Sequence, residues 1–84
     1  MQEVSTPTGW LLHPKGEMIL FFIQDPKSLQ RLPRVITQLW YAIDGVPIRI
    51  KNSRTMDLLS AIETWNELMN SHWVLIEQEH KNAS

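Results

Sequence analysis

Histidine and cysteine are the side chains that most often bind metals, and this sequence does not group them. Its three histidines, His13, His72 and His80, are separated along the chain, and no two have the i, i+4 spacing of a zinc-binding helix. There is no cysteine, which excludes disulfides and thiolate-bound metals. We therefore predict no metal site.

Carboxylates and serines are no better placed for catalysis. Asp57, Glu63 and Glu67 fall on the outer side of a predicted helix, where solvated charges are expected. Ser53 and Ser60 have no nearby histidine and no Gly-x-Ser-x-Gly context. The three glycines stand at turn positions and do not form a phosphate loop. We predict no catalytic residue and no cofactor, and so a protein that is not an enzyme.

Basic and aromatic side chains together indicate a different chemistry, the binding of phosphate or nucleic acid. The segment "RIKNSR" contains Arg49, Lys51 and Arg54. Paired on a sheet with Trp10 or Trp40, these cations would be typical of a surface for single-stranded nucleic acid. The same cluster is also typical of a solvated strand face or of a contact with an acidic protein. All three interpretations stay open from the residues alone.

The distribution of charge favours a protein partner over nucleic acid. The net charge is −1, whereas general nucleic-acid binding usually draws on a strongly basic face. Seven of the eight basic residues and four of the nine acidic residues lie in 1–54, and the others lie in 55–84. Such asymmetry can orient a molecule on a charged partner.

The length of 84 residues leaves room for one domain and one core. We predict a single domain over residues 8–77, with disordered ends at 1–7 and 78–84. The first residues lack the features of a signal peptide, and no apolar run approaches the roughly 20 residues that cross a bilayer. The sequence therefore predicts a cytoplasmic protein with no membrane contact.

Two hairpins, a helix and a closing strand would position these side chains. The sequences "PKG" and "DG" each separate two apolar segments and are typical of hairpin turns. Apolar residues then recur at helical spacing in "MDLLSAIETWNELM", with Ser53 or Thr55 as the N-cap. The predicted strands cover residues 10–13, 18–23, 39–43, 47–51 and 72–77, and the predicted helix covers 56–69.

The connection between the two hairpins is harder to interpret. Asp25 followed by Pro26 is typical of a helix start, so we expect one helical turn there. In 29–43 the apolar residues recur at steps of three and four, as in a helix, but many are β-formers and Pro33 interrupts the segment. We favour a strand over 39–43.

The order ββ-ββ-α-β predicts an α+β fold: an antiparallel sheet of four to five strands with one amphipathic helix packed on one face. The helix covers one face only, yet the six consecutive apolar residues 18–23 put apolar side chains on both faces of the second strand. Each such side chain left in water forfeits roughly 1.5–3 kcal/mol. Either segment 24–38 folds across the second face, or that face is a protein–protein surface.

We favour the protein–protein surface, with a homodimer joined sheet to sheet as its specific form. The sequence thus predicts a small non-enzymatic interaction or regulatory protein whose partner is a second copy or another protein. A small nucleic-acid-binding module is the alternative. The residues predicted to contact a partner are Trp10, Ile19, Phe21, Ile23, Trp40, Arg49, Lys51 and Arg54.

A set of motifs runs through the chain in a recognisable order. It consists of Gly9 and Trp10 at the opening, Phe21 in an apolar strand, Lys51 with Arg54, and the helix pattern of Ala61, Trp65 and Leu68. In this order the motifs resemble an uncharacterised family of small cyanobacterial proteins, a domain of unknown function. The family closes on Gly-Trp, where this chain has His72-Trp73. The resemblance implies a cytoplasmic setting in a cyanobacterium or a related phage, and no activity comes with it.

Overall fold

Five strands and one helix form the fold in residues 6–29 and 31–76, the part of the chain that the computed structural model describes. The elements are β1 (Gly9–Leu12), β2 (Met18–Gln24), β3 (Arg34–Ile43), β4 (Val46–Asp57), α1 (Leu58–Asn70) and β5 (Val74–Ile76). The strands lie in the order β4-β3-β2-β1-β5, so β4 and β5 are the edges. Every neighbouring pair is antiparallel and α1 packs against the sheet, which confirms the predicted α+β fold.

Strands β3 and β4 are longer than predicted. β3 begins at Arg34, directly after Pro33, and it pairs with β2 on one side and β4 on the other. β4 continues to Asp57 and therefore includes Ser53 and Thr55, the two predicted helix caps. The helical spacing along β3 is misleading because strand pairing on both sides satisfies its backbone groups and outweighs the local preference.

The helical turn predicted after Asp25 is wrong. The Asp25 carbonyl accepts a hydrogen bond from the Ser28 N–H, and its Oδ1 accepts one from the Lys27 N–H, each at 2.9 Å. This is a β-turn stabilised by its own aspartate. At the end of the same connection, the Leu58 N–H donates to the Pro33 carbonyl at 3.1 Å. The connection is therefore held beside the start of α1.

The hydrophobic core lies between α1 and one face of the sheet. Leu11, Phe22 and Val35 from the sheet and Ala61 from α1 have no exposed surface. Trp65 of α1 packs edge-on against Phe22, with ring centroids 5.0 Å apart. Burying side chains of this size stabilises the fold by roughly 1.5–3 kcal/mol each, which is why α1 docks with this side.

The described part of the chain leaves out most of the predicted ends. The segments 1–7 and 78–84, predicted to be disordered, lie outside the described residues except for Thr6 and Pro7. The predicted last strand is shorter in the structure, where β5 spans three residues and is the last described element. His80 also lies outside the described residues.

Gly9 begins β1 in a conformation that suits only glycine. Its φ is +134°, and a Cβ there would lie 3.1 Å from Leu75 Cδ1 and 3.6 Å from Trp65 Cη2. We expect Gly9→Ala to lower the free energy of unfolding, measured by urea denaturation, by about 1–3 kcal/mol. Gly16→Ala is the matched control, because Gly16 also has a positive φ but open space around it, and it should lose about 1 kcal/mol. Equal losses would contradict a role for the close approach of Leu75.

Candidate interaction surface

Three central rows of side chains on the sheet face that points away from α1 are called the open face here. Two further pairs lie on the same side at its ends, Ala42 with Pro47 and the oppositely charged Arg34 with Asp57. Residues paired across antiparallel strands point to the same side, so the register assigns each side chain to a face. Two rows cross all five strands and the third crosses three. From the β4 edge inward, the rows are Ile50, Trp40, Ile19, Leu12 and Val74; Ser53, Gln38, Phe21, Trp10 and Ile76; and Thr55, Ile36 and Ile23.

None of these open-face residues carries a charge. Ten are apolar and the other three are uncharged polar residues on β3 and β4. Part of the apolar surface is in water, since Ile23 is 39% exposed, Ile50 42% and Val74 54%. A solvated face of an antiparallel sheet is normally polar, so this composition indicates a surface suited to contact with another apolar surface.

Three aromatic side chains occupy the centre of the open face. Trp10 stacks on Phe21 with ring centroids 4.2 Å apart, and its ring lies 6.1 Å from that of Trp40. The indole N–H of Trp40 donates to Gln38 Oε1 at 3.2 Å, so this polar group already has a partner inside the chain. An apolar partner can therefore cover Trp40 without leaving its indole N–H unsatisfied.

Ile19, one of the residues predicted to contact a partner, has no exposed surface within the chain. The pairing of β3 with β4 is irregular at two points, and such bulges bend a hairpin. The bend brings the β3–β4 turn toward the open face, where a Cβ on Gly45 would lie 3.6 Å from Leu12 Cδ2. Ile19 is next to Leu12 in the same row, between the partner strands β1 and β3.

The alternative in which segment 24–38 folds across the second face is also wrong. Residues 34–38 of that segment belong to β3, inside the sheet. The connection before them is tied to the start of α1. Ile23 and Ile50 are partly exposed, so no described segment covers the open face completely.

The predicted basic residues lie on the other face of the sheet, the one that α1 shares. Arg49 pairs with Tyr41 and Arg54 pairs with Thr37, and the register puts both partners on the helix side. The Arg49 Cζ and the Lys51 Nζ lie 5.3 Å and 5.7 Å from the centre of the Tyr41 ring, within cation–π range. The structure thus groups the three cations along β4 and separates them from the open-face aromatic rings.

The partner-contact residues predicted from the sequence leave out several residues of the open face and the aromatic residue beside the β4 cations. Ile36 lies in the segment with misleading helical spacing, so its strand face is not evident. Val74 and Ile76 could be found from strand alternation, because they oppose Trp73 and Leu75. Tyr41, next to Trp40, could be found in the same way as the aromatic residue on the basic side.

A groove of about 420 Å³ lies where the β2–β3 connection meets the start of α1. Its walls are largely apolar, and Leu32 and Leu59 at its rim are 63% and 72% exposed. Its ionisable residues are two arginines and the Asp57 carboxylate, which already accepts a hydrogen bond from the Ser60 N–H as the cap of α1. The lining residues are Arg31, Leu32, Pro33, Arg34, Asp57, Leu58 and Leu59.

Asp57 is the N-cap of α1, in place of the predicted Ser53 or Thr55. Its Oδ1 accepts a hydrogen bond from the Ser60 N–H at 2.8 Å, and this bond, with one from the Ser60 side chain, lowers the pKa of Asp57. Because the pKa is lower in the folded state, the stabilisation is complete above the unfolded pKa and is lost as the pH falls through the folded pKa.

We therefore expect Asp57→Asn to be less stable than the wild type at neutral pH and to lose less stability on acidification. The amide keeps an oxygen for the cap but cannot titrate. Urea denaturation at neutral pH and at about pH 3 measures both effects. A variant whose stability falls with pH as steeply as that of the wild type would contradict this role for Asp57.

Metal and membrane sites can be assessed for the described residues only. Within 6–29 and 31–76, no group of three or more histidine, cysteine or acidic side chains is arranged to hold a metal ion. No helix in that part of the chain has both the length and the apolar character needed to span a membrane.

Comparison with known proteins identifies a family but no activity. No curated protein and no solved structure is significantly similar to the chain. A family model matches residues 8–80, a range that contains every strand and the helix described above. The description of that family is "Protein of unknown function", which agrees with the resemblance of the sequence motifs to a domain of unknown function. The chain belongs to this family, DUF1651.

Proposed function

We propose that this protein is a non-enzymatic interaction protein that binds through its open face, and that its partner there is a second copy of the chain. The observation that carries the proposal is the composition of the open face, which is largely apolar and has no charge. Water in contact with such a face is released when another apolar surface covers it, and this release drives association.

The lack of charge favours a second copy over a charged client. In a two-fold dimer the same patch meets itself, so any net charge on it would oppose association. The open face brings no such repulsion. Its polar members are near the β4 edge, where they can stay in contact with water while the aromatic centre is covered.

The sheet edges are less suitable for self-association than the open face. β5 is only three residues long. β4 is long, but it carries Pro47 together with Arg49, Lys51 and Arg54. Short strands, proline and basic side chains are the features that keep edge strands from pairing with their own kind.

The size of the open face sets the expected strength of the dimer. Five strands about 4.8 Å apart make it about 24 Å wide, and three rows give it a projected area on the order of 400 Å². Standard interfaces bury roughly 800 Å² per partner, so this contact is at the small end of the range. We expect a dissociation constant in the micromolar range.

Sedimentation velocity over a micromolar concentration series tests the proposal. The dimer fraction should rise with protein concentration and should not fall when salt is added, because the contact contains no ion pairs. A monomer at every concentration, or a dimer that dissociates in salt, would overturn the proposed contact.

Nucleic-acid binding is the second candidate function, and the arrangement of the side chains supports it less. The cations of β4 would need an exposed aromatic platform beside them. Trp10 and Trp40 lie on the opposite face, and the ring next to the cations is Tyr41. The open-face dimer is therefore the better-supported proposal.

The cytoplasmic, cyanobacterial setting and the regulatory role are finer parts of the proposal. The setting rests on the resemblance of the sequence motifs to small cyanobacterial proteins, and the regulatory role rests on the proposed interaction surface. Fractionation of a cyanobacterium that encodes this chain, followed by immunoblotting, would test the location. Recovery in the membrane or periplasmic fraction would contradict it.

A further inference from the structure

The outer edge of β4 has no partner strand in the part of the chain that the structure describes. β4 pairs with β3 on one side only. Every residue in 48–55 is exposed, so no described segment covers this edge either. An uncovered edge strand presents backbone N–H and C=O groups to which a further strand can bond.

Three cations stand along this edge on the helix side of the sheet. Arg49 and Lys51 contact the ring of Tyr41, and Arg54 follows farther along the strand. None of the three forms an ion pair, with a nitrogen–oxygen distance within 4.0 Å, to a described carboxylate. Arg49 and Arg54 are roughly 16 Å apart in extended chain, so the cations form a positive stripe beside the open backbone groups.

We infer that the β4 edge binds an extended peptide segment with acidic side chains at alternate positions. The segment would add to the sheet as a sixth strand, with backbone hydrogen bonds to β4 providing affinity. Alternate side chains of a strand point to one face, so its acidic residues would lie on the helix side, opposite the cations. The proposed site uses the outer backbone edge of β4 and the cations on its helix side, so it does not depend on the dimer.

The same charges select against two other occupants. A second copy of β4 would bring arginine and lysine against arginine and lysine, which is repulsive. A single-stranded nucleic acid needs an aromatic ring on which a base can stack. The Tyr41 ring is already in contact with Arg49 and Lys51, which makes it a poor platform for a base.

Fluorescence anisotropy with labelled peptides tests the inference on the whole 84-residue chain. The probe is a heptapeptide that alternates glutamate with threonine. Three controls need no change to the protein: the same peptide with glutamine for glutamate, the same peptide with N-methylated backbone amides, and a labelled oligothymidine. We expect the glutamate peptide to bind about tenfold more tightly than either control peptide and more tightly than oligothymidine.

Two variants of the protein complete the test. Arg49→Glu with Lys51→Glu should weaken binding of the glutamate peptide about tenfold, and Lys15→Glu, in the exposed β1–β2 turn, should change it less than about twofold. Circular dichroism checks that both variants are folded. Preferred binding of oligothymidine would overturn the peptide proposal, and tight binding of the N-methylated peptide would overturn strand addition. If no probe binds, the inference that the β4 edge takes an added strand is overturned.

Discussion

Phe22→Ala is expected to lower the free energy of unfolding by about 3–5 kcal/mol, the usual cost of removing a fully buried phenylalanine. Phe22 has no exposed surface, and its ring meets Trp65 of α1 edge-on at 5.0 Å. A chain of 84 residues has a total stability of about 4–13 kcal/mol, so the variant would lose a large share of it. Urea denaturation measures the loss directly, and the midpoint of thermal unfolding should fall by at least about 12 °C.

Phe21→Ala is the matched control, because it removes the same ring one position earlier. Phe21 is half-buried on the open face, where it stacks on Trp10. In dilute solution, where the proposed dimer would be dissociated, we expect a loss of about 1–2 kcal/mol from the stacking and the partial burial. Equal losses for the two variants would contradict the assignment of these neighbouring rings to opposite faces of the sheet.

The β3–β4 turn and the helix α1 could be predicted, because each depends on residues that are close together in the sequence. The turn sequence Asp44-Gly45 predicts positive φ angles at both residues, and the structure has φ of 52° and 79° there. The apolar spacing that predicts a helix over 56–69 agrees with α1 to within two residues. These features depend on neighbours in the sequence, so the sequence alone contains the necessary information.

The long strands could not be predicted in the same way, because their extent depends on distant partners. Residues 34–38 have apolar spacing that also suits a helix, and pairing with both β2 and β4 decides for a strand. The positions of the bulges in β4 also depend on its pairing with a distant strand, β3. Ile48 and Lys51 have no partner on β3, so simple alternation fails to give the correct faces along this strand.

The existence of an uncovered apolar sheet face could be predicted from the sequence, but the residues that belong to it could not all be identified. Apolar residues on both faces of β2 predict an uncovered second face, and Phe21 and Ile23 do lie there. Ile19 alternates with them on the same strand, but its side chain has no exposed surface. The basic residues belong to the opposite face, which the sequence could not show without the register of β4 against β3.

Phe21→Asp is expected to weaken the proposed dimer by at least about 100-fold while the monomer stays folded. The substitution places a carboxylate in the aromatic centre of the open face, beside Trp10, whose ring lies 6.1 Å from that of Trp40. In a two-fold dimer both copies would bring this charge into an apolar contact without a partner charge, and removing an unpaired charge from water is costly. In the monomer the half-exposed position lets the carboxylate stay hydrated.

Leu59→Asp is the control, because it adds the same charge at an exposed leucine on α1, away from the open face. Sedimentation velocity should show a monomer for Phe21→Asp at concentrations where the wild type and Leu59→Asp are dimeric, and circular dichroism should show that all three are folded. If Phe21→Asp dimerises like the wild type, association does not use the open face. If Leu59→Asp alone is monomeric, the contact lies on the helix side instead, because only a charge placed inside the contact can cost this much.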